Sequence, residues 1–189
     1  MVINPKIAIR EKWVMFPDTF SEEFINKCIQ PNGIDFTLDA LHMVDTYAPA
    51  FISETSREFK KTTPVFSTQM GDGRNMYTLY QNVCYDFVSN IKVNIPSGVM
   101  AKLEVRSTLN RVGVGLTSGV YDTGFSGNIA GHLRPFAGQV YIEPGTRIGQ
   151  IVFYTAVESS SYDGIYNNQT DYWLNAVGLK VEEKNEDSN

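Results

Sequence analysis

The chain reads as an all-β domain, a barrel or jelly-roll-like sandwich with one early helix. Three observations point there. Many short segments alternate apolar and polar residues, the period of a half-buried strand. Turn-forming clusters rich in Gly, Pro, Asn and Ser separate those segments. Aromatics reach 12% beside 15 glycines, a composition that favours strands joined by many turns.

The helix is expected over residues 17–30. Thr19 and Glu22 have capping-box spacing, and Phe24, Ile25, Cys28 and Ile29 recur on one face. Gln30-Pro31-Asn32-Gly33 ends it with turn chemistry. Ile34, Phe36 and Leu38 then alternate with Asp35 and Thr37, which reads as a strand. Residues 45–75 carry few signals beyond a turn at Gly71-Asp72-Gly73. One or two strands are expected within Met76–Val88. Clean alternation follows in Ile91–Ile95, then in Val99, Ala101, Leu103 and Val105, and then in Val112, Val114 and Leu116. Gln139–Ile142 and Ile148–Tyr154 are short apolar runs around the turn Glu143-Pro144-Gly145-Thr146. Residues 1–181 are read as one domain, a size suited to a single core, and 182–189 as a polar, solvated and disordered tail.

A net charge of −5 argues against a general nucleic-acid binder, because no excess of Lys and Arg is present to neutralise a phosphate backbone. A small anion remains a fitting ligand if a few cations are focused locally. Cys28 and Cys84 form no CxxC pair and read as small core hydrophobes, with neither a zinc signature nor a disulfide framework. The N-terminal residues contain no signal-peptide pattern, and no apolar run approaches a membrane span. A soluble protein in a reducing, cytoplasmic compartment, with no membrane partner, is the expectation.

Two neighbouring segments carry the chemistry. Arg106-Ser107-Thr108 with Arg111 gathers guanidiniums and hydroxyls, donors that suit phosphate oxygens. Read alone, it is equally a basic turn after a strand that ends at Val105. A short helical turn from Ser107 through Asn110 would add free N–H groups. Next, Gly119-Val120-Tyr121-Asp122-Thr123-Gly124-Phe125 reads as a hairpin that glycines leave open to a ligand. A base could be recognised by its N–H and C=O groups around Gly119 and Tyr121. Asp122 could take a proton from attacking water, and Phe125 could pack under a sugar. Taken in isolation this too is an ordinary hairpin with an Asp in its turn.

Together the segments resemble the deoxyuridine triphosphatase and deoxycytidine triphosphate deaminase superfamily. R-S-T-L-N-R is similar to the family's phosphate motif R-S-S-L-A-R, and L-T-S-G-V-Y-D-T-G-F-S-G to its hairpin V-T-A-G-x-I-D-x-G-F-x-G. E-P-G-T-R-I-G-Q resembles the motif P-G-x-x-I-G-Q, and Q-P-N-G-I-D-F-T-L the deaminase-branch opening Q-P-A-S-x-D-L-R-L. The resemblance is strong over 91–153 and weaker at 30–38. It implies a distorted jelly-roll and a homotrimer whose sites are shared between subunits. It also implies a deoxypyrimidine nucleoside triphosphate as ligand, with Mg2+ held mainly by phosphates and water. Gln150 would reach the phosphate region of a neighbouring subunit. Tyr166 and Gln169 fall in a stretch that loosely resembles the deaminase tail K-Y-Q-G-Q-x-G-x-T. Arg147 reads either as a pocket residue or as a strand-edge charge.

The chain departs from the pattern at two places. His132 stands where the deaminase branch has its proton-shuttling glutamate. It is either a structural histidine or a residue facing the base, with Gly131 widening the pocket. The Gly-rich arm that closes triphosphatase sites has no counterpart here. Three readings follow. One is a dUTP hydrolase with Asp122 as the base and Arg106, Ser107 and Gln150 on the phosphates. The second is a dCTP deaminase, on an ordinary or modified base, that uses His132. The third is a nucleotide-binding protein without chemistry.

Overall fold

The computed structural model describes residues 1–157, 160–164, 167 and 181–182, with the backbone alone at Arg57, Val181 and Glu182. Three short helices, α1 (Pro5–Arg10), α2 (Glu22–Cys28) and α3 (Ser107–Arg111), accompany a mainly β chain. In order, the strands are β1 (Val14–Met15), β2 (Ile34–Thr37), β3 (Ala40–Val44), β4 (Phe51–Ile52), β5 (Ser56–Glu58), β6 (Thr62–Val65), β7 (Thr68–Gln69) and β8 (Asn75–Leu79). There follow β9 (Tyr85–Asn94), β10 (Val99–Val105), β11 (Val114–Thr117), β12 (Ser126–Pro135), β13 (Val140–Ile142), β14 (Arg147–Thr155) and β15 (Val181–Glu182).

The largest sheet runs β11-β12-β9-β3-β6, with β1 added along β9, and a second runs β10-β14-β2. Every pairing is antiparallel. These two sheets face each other over one core, where Phe36 of β2 stacks on Phe87 of β9 with ring centres 5.7 Å apart. Smaller sheets, β13-β8-β7 and β15-β5-β4, complete the all-β architecture. Among the described residues no helix is long and apolar enough to cross a membrane.

Several sequence expectations are corrected. The helix expected at 17–30 is only Glu22–Cys28, and its cap is Ser21, not Thr19: the Ser21 hydroxyl accepts from the Phe24 N–H at 3.2 Å. Glu22 and Glu23 then sit in the first turn, where the helix dipole favours them. A second N-terminal helix, α1, went unread although Asn4 and Pro5 signal it; Asn4 caps it and Pro5 occupies the first turn. Asp35 and Thr37 alternate with apolar neighbours, yet all four residues of β2 are buried, because both faces of that strand are covered. Cys84 lies just before β9 rather than within a strand. Glu182 pairs with Ser56 in β15 instead of belonging to a tail, and 183–189 lie outside the described residues.

Two glycines permit close approach. A Cβ on Gly149 would come within 2.3 Å of the Phe36 ring, at the point where β14 and β2 shift register. Gly124 has φ +83, and a Cβ there would collide with Ser161. Gly149→Ala is therefore expected to lower the urea unfolding free energy by about 2 kcal/mol through overpacking. Gly71→Ala, in open space without a positive φ, should stay within about 0.5 kcal/mol of the wild type.

Candidate functional site

The predicted residues gather in two places. The first is built on Asp35, whose residue is wholly buried in the middle of β2. Register sets Gln150 of β14 opposite Asp35, and Glu104 of β10 opposite Gln150. Gln150 Nε2 donates to Asp35 Oδ1 at 2.8 Å, and Arg147 Nη1 donates to Oδ2 at 3.0 Å. Arg106 Nε stands 3.4 Å from the same Oδ2. Burial pushes the Asp35 carboxyl up from its ordinary range, while the Gln150 amide and the two guanidiniums pull it back. Both arginine side chains stay about a quarter exposed, 28% and 26%, so each retains donor surface toward solvent. Arg147 is thus tied inward, to Asp35 and to the Lys27 carbonyl at the end of α2, rather than standing as a strand-edge charge. Arg106 caps α3, which begins at Ser107 as the helical-turn reading required. Ser107, Thr108 and Arg111 are exposed on α3, and the described residues show no side-chain partner for them.

The second place lies around the loop between β11 and β12. The chain leaves β11 after Thr117 and crosses to the other sheet. There Tyr121 and Ala101 exchange two backbone hydrogen bonds at 2.9 Å, and the chain returns into β12 at Ser126. Thr123 fastens this crossing by donating its hydroxyl to the Val99 carbonyl at 2.7 Å. Between the loop and the strand opens a cleft of about 290 Å³. Ser118, Gly119 and Val120 supply backbone to one wall, Tyr121 and Phe125 supply rings, and His132 stands on the β12 side. The Tyr121 hydroxyl both donates to and accepts from the Ala130 backbone, at 2.9 Å each way, so the ring is held rigidly as a wall. Phe125 packs edge-on between Tyr121 and Tyr162. Tyr162 is held over the loop by its N–H, which donates to the Thr123 carbonyl at 2.7 Å.

Asp122 is exposed and does not line this cleft. It faces an adjoining hollow of about 450 Å³ shared with Thr123, Ser160, Ser161, Tyr162 and Asp163. Tyr162 borders both spaces. Gly131 lines the cleft beside His132. Its missing Cβ makes room on the inner side for the Thr117 carbonyl and the Phe87 ring.

His132 has a partner that the sequence did not disclose. Strand register places it beside Asp86 of β9, and Nε2 lies 2.6 Å from Asp86 Oδ1. The contact is close but the donor is not aligned on Oδ1, and it is an ion pair when the imidazole is protonated. Asp86 is buried, and its carboxylate beside the imidazole raises the His132 pKa, against the opposing effect of burial. The residues overlooked in the sequence are therefore Asp35, Asp86 and Tyr162. Asp35 sits in a quoted motif and could have been found there. The Asp86 pairing depends on register alone. Tyr166 and Gln169 lie outside the described residues.

Removing the carboxylate at the first place should be costly. Asp35→Ala is expected to lower stability by about 2 to 3 kcal/mol, less than for a fully buried pair because both guanidiniums remain partly wet. A shift of the urea midpoint at constant slope would show it.

The chain matches the family described as dCTP deaminase-like over residues 11–156. A protein of Halobacterium salinarum named "Probable deoxyuridine 5'-triphosphate nucleotidohydrolase" is 29% identical over 141 residues, covering 75% of this chain and 84% of that protein. A protein of Caldivirga maquilingensis named "dCTP deaminase" is 27% identical over 155 residues, covering 78% and 82%. The crystal structure of the 2'-deoxycytidine 5'-triphosphate deaminase of Agrobacterium tumefaciens superposes with a TM-score of 0.59 at 11% identity. That match covers 82% of this chain and about half, 48%, of that one, and it bears on the fold alone. With the family model spanning most of its length and the jelly-roll-type fold in place, the chain belongs to the dCTP deaminase-like family.

Proposed function

We propose that the protein hydrolyses a deoxypyrimidine nucleoside triphosphate, dUTP to dUMP and pyrophosphate, with Asp122 activating the attacking water. The observation that carries this reading is the state of Asp122. It is an exposed carboxylate with no side-chain partner among the described residues, at the return of the loop that walls the cleft. A carboxylate free of other duties can accept a proton as water oxygen bonds to the α-phosphorus and pyrophosphate leaves. The deaminase glutamate position, by contrast, is His132. The relatives named as triphosphate nucleotidohydrolases support hydrolysis within the family.

The base would enter the cleft beside Gly119, Tyr121, Phe125 and His132, and Arg106, Ser107 and Gln150 would hold the phosphates. Within one chain these groups do not meet. Ala101 pairs with Tyr121, and Arg106 stands further along the same strand direction, about 16 Å away at the rise of an extended chain. A triphosphate would bridge them if Arg106 came from a neighbouring copy, which is the reason to propose a homotrimer with shared sites. Magnesium fits as a substrate-borne ion. Both Asp35 oxygens already face donors. Phosphate oxygens and water would hold the ion mainly, where it would offset phosphate charge.

Incubation with dUTP and magnesium, followed by mass detection of products, tests the reading. Release of dUMP and pyrophosphate is expected, and Asp122→Asn should slow it by about 10² to 10⁴-fold. Ammonia from dCTP, lost in His132→Ala, would instead establish deamination. Tight binding with neither product would leave a binding protein.

A further inference from the structure

We propose that His132, with Nε2 held by Asp86, reads the 4-position of a pyrimidine through Nδ1, donating to a 4-oxo group when protonated and accepting from a 4-amino group when neutral. This rests on the nucleotide reading of the cleft and adds to it a residue that selects the base.

The geometry supplies the argument. His132 lines the cleft, and its side chain is 44% exposed, so a ligand can reach the ring. Nε2 is occupied at 2.6 Å by a carboxylate that is itself only 8% exposed and cannot turn to solvent for compensation. The negative charge at that distance favours the proton on Nε2 in both charge states, which assigns titration to Nδ1. Nδ1 is consequently a donor below the titration point and an acceptor above it. A base carrying a carbonyl at C4 fits the first state, and one carrying an amino group fits the second.

The surrounding charges leave this exchange to His132. On β9, Asp86 touches it, and Cys84 stands two residues before Asp86, just outside the strand; burial raises the Cys84 thiol, which stays neutral. Beyond Asp86, register places His42 of β3, whose pKa burial lowers against the pull of Asp86, so His42 gains its charge at lower pH than His132. Arg134 lies two residues further along β12 and is exposed. The β11 strand brings only Thr117 opposite, and the loop and the 160–164 segment bring Tyr121 and Tyr162. Because Asp86 raises the His132 pKa, the donor state is full at mildly acid pH and persists above the ordinary imidazole range, about 6.5. It is lost as pH rises through the raised value.

The test is equilibrium binding of α,β-imido-dUTP and α,β-imido-dCTP with magnesium, at about pH 5.5 and about pH 8.5. The ratio of the two affinities is the readout, since titration of the phosphates alters both ligands alike and cancels. The ratio should favour the uracil nucleotide at the lower pH and fall by about tenfold at the higher, the worth of one hydrogen bond to a charged group. His132→Gln, whose amide can still donate to Asp86 but does not titrate, should make the ratio independent of pH. Asp86→Asn, which removes the positioning charge, should move the midpoint of the change to lower pH. A ratio unchanged between the two pH values, or one that still changes in His132→Gln, overturns the proposal while leaving nucleotide binding intact. Failure of both analogues to bind would overturn the nucleotide reading along with it.

Discussion

Asp35 is a carboxylate with no access to water, and Arg106, Arg147 and Gln150 are arranged around it. A buried charge is tolerated only when paired and hydrogen-bonded. The pairing groups come from distant stretches: Arg106 at the end of β10, and Arg147 and Gln150 from β14. Each is drawn to the same two oxygens, so their positions relative to one another are set before any ligand arrives. Two positive charges converge on one negative charge, and the surplus is positive and partly exposed. An overall acidic protein can in this way present a local basic surface.

The cleft depends on a crossing between sheets. The loop after β11 could have closed as a simple hairpin against β12. Instead Tyr121 pairs with Ala101 of the second sheet, and the gap left beside β12 becomes the cleft. Thr123, Gly124 and the 160–162 segment fasten the loop from outside, and the Tyr121 hydroxyl fastens it from inside. The cleft and the groups around Asp35 are held separately, each by its own hydrogen bonds.

Legibility in the sequence followed the range of the interactions involved. The strands within 91–95 and 99–105 are readable because alternation is local, and the one at 148–154 because it is a short apolar run between turn signals. The early helix begins later than Thr19 suggests, because Ser21 supplies the hydroxyl that caps it. The α1 helix is too short to display a repeated apolar face, although its Asn-Pro start was visible. Asp35 looked like one of the polar positions of an alternating strand. Nothing local said that β2 is covered on both sides.

From the order of its residues alone the chain declared a β-rich fold, the positions of its turns, and the clustering of Arg106, Ser107, Asp122 and Gln150 in recognisable motifs, because side-chain period and turn preference act over a few residues. Only the folded molecule decided that Asp35 binds Arg106, Arg147 and Gln150, that Asp122 lies outside the cleft lined by Tyr121 and His132, and that His132 meets Asp86. The pairings of Asp35 with Gln150 and of His132 with Asp86 are matters of strand register between segments far apart in the chain, and a shift of one residue would turn those side chains to the opposite face.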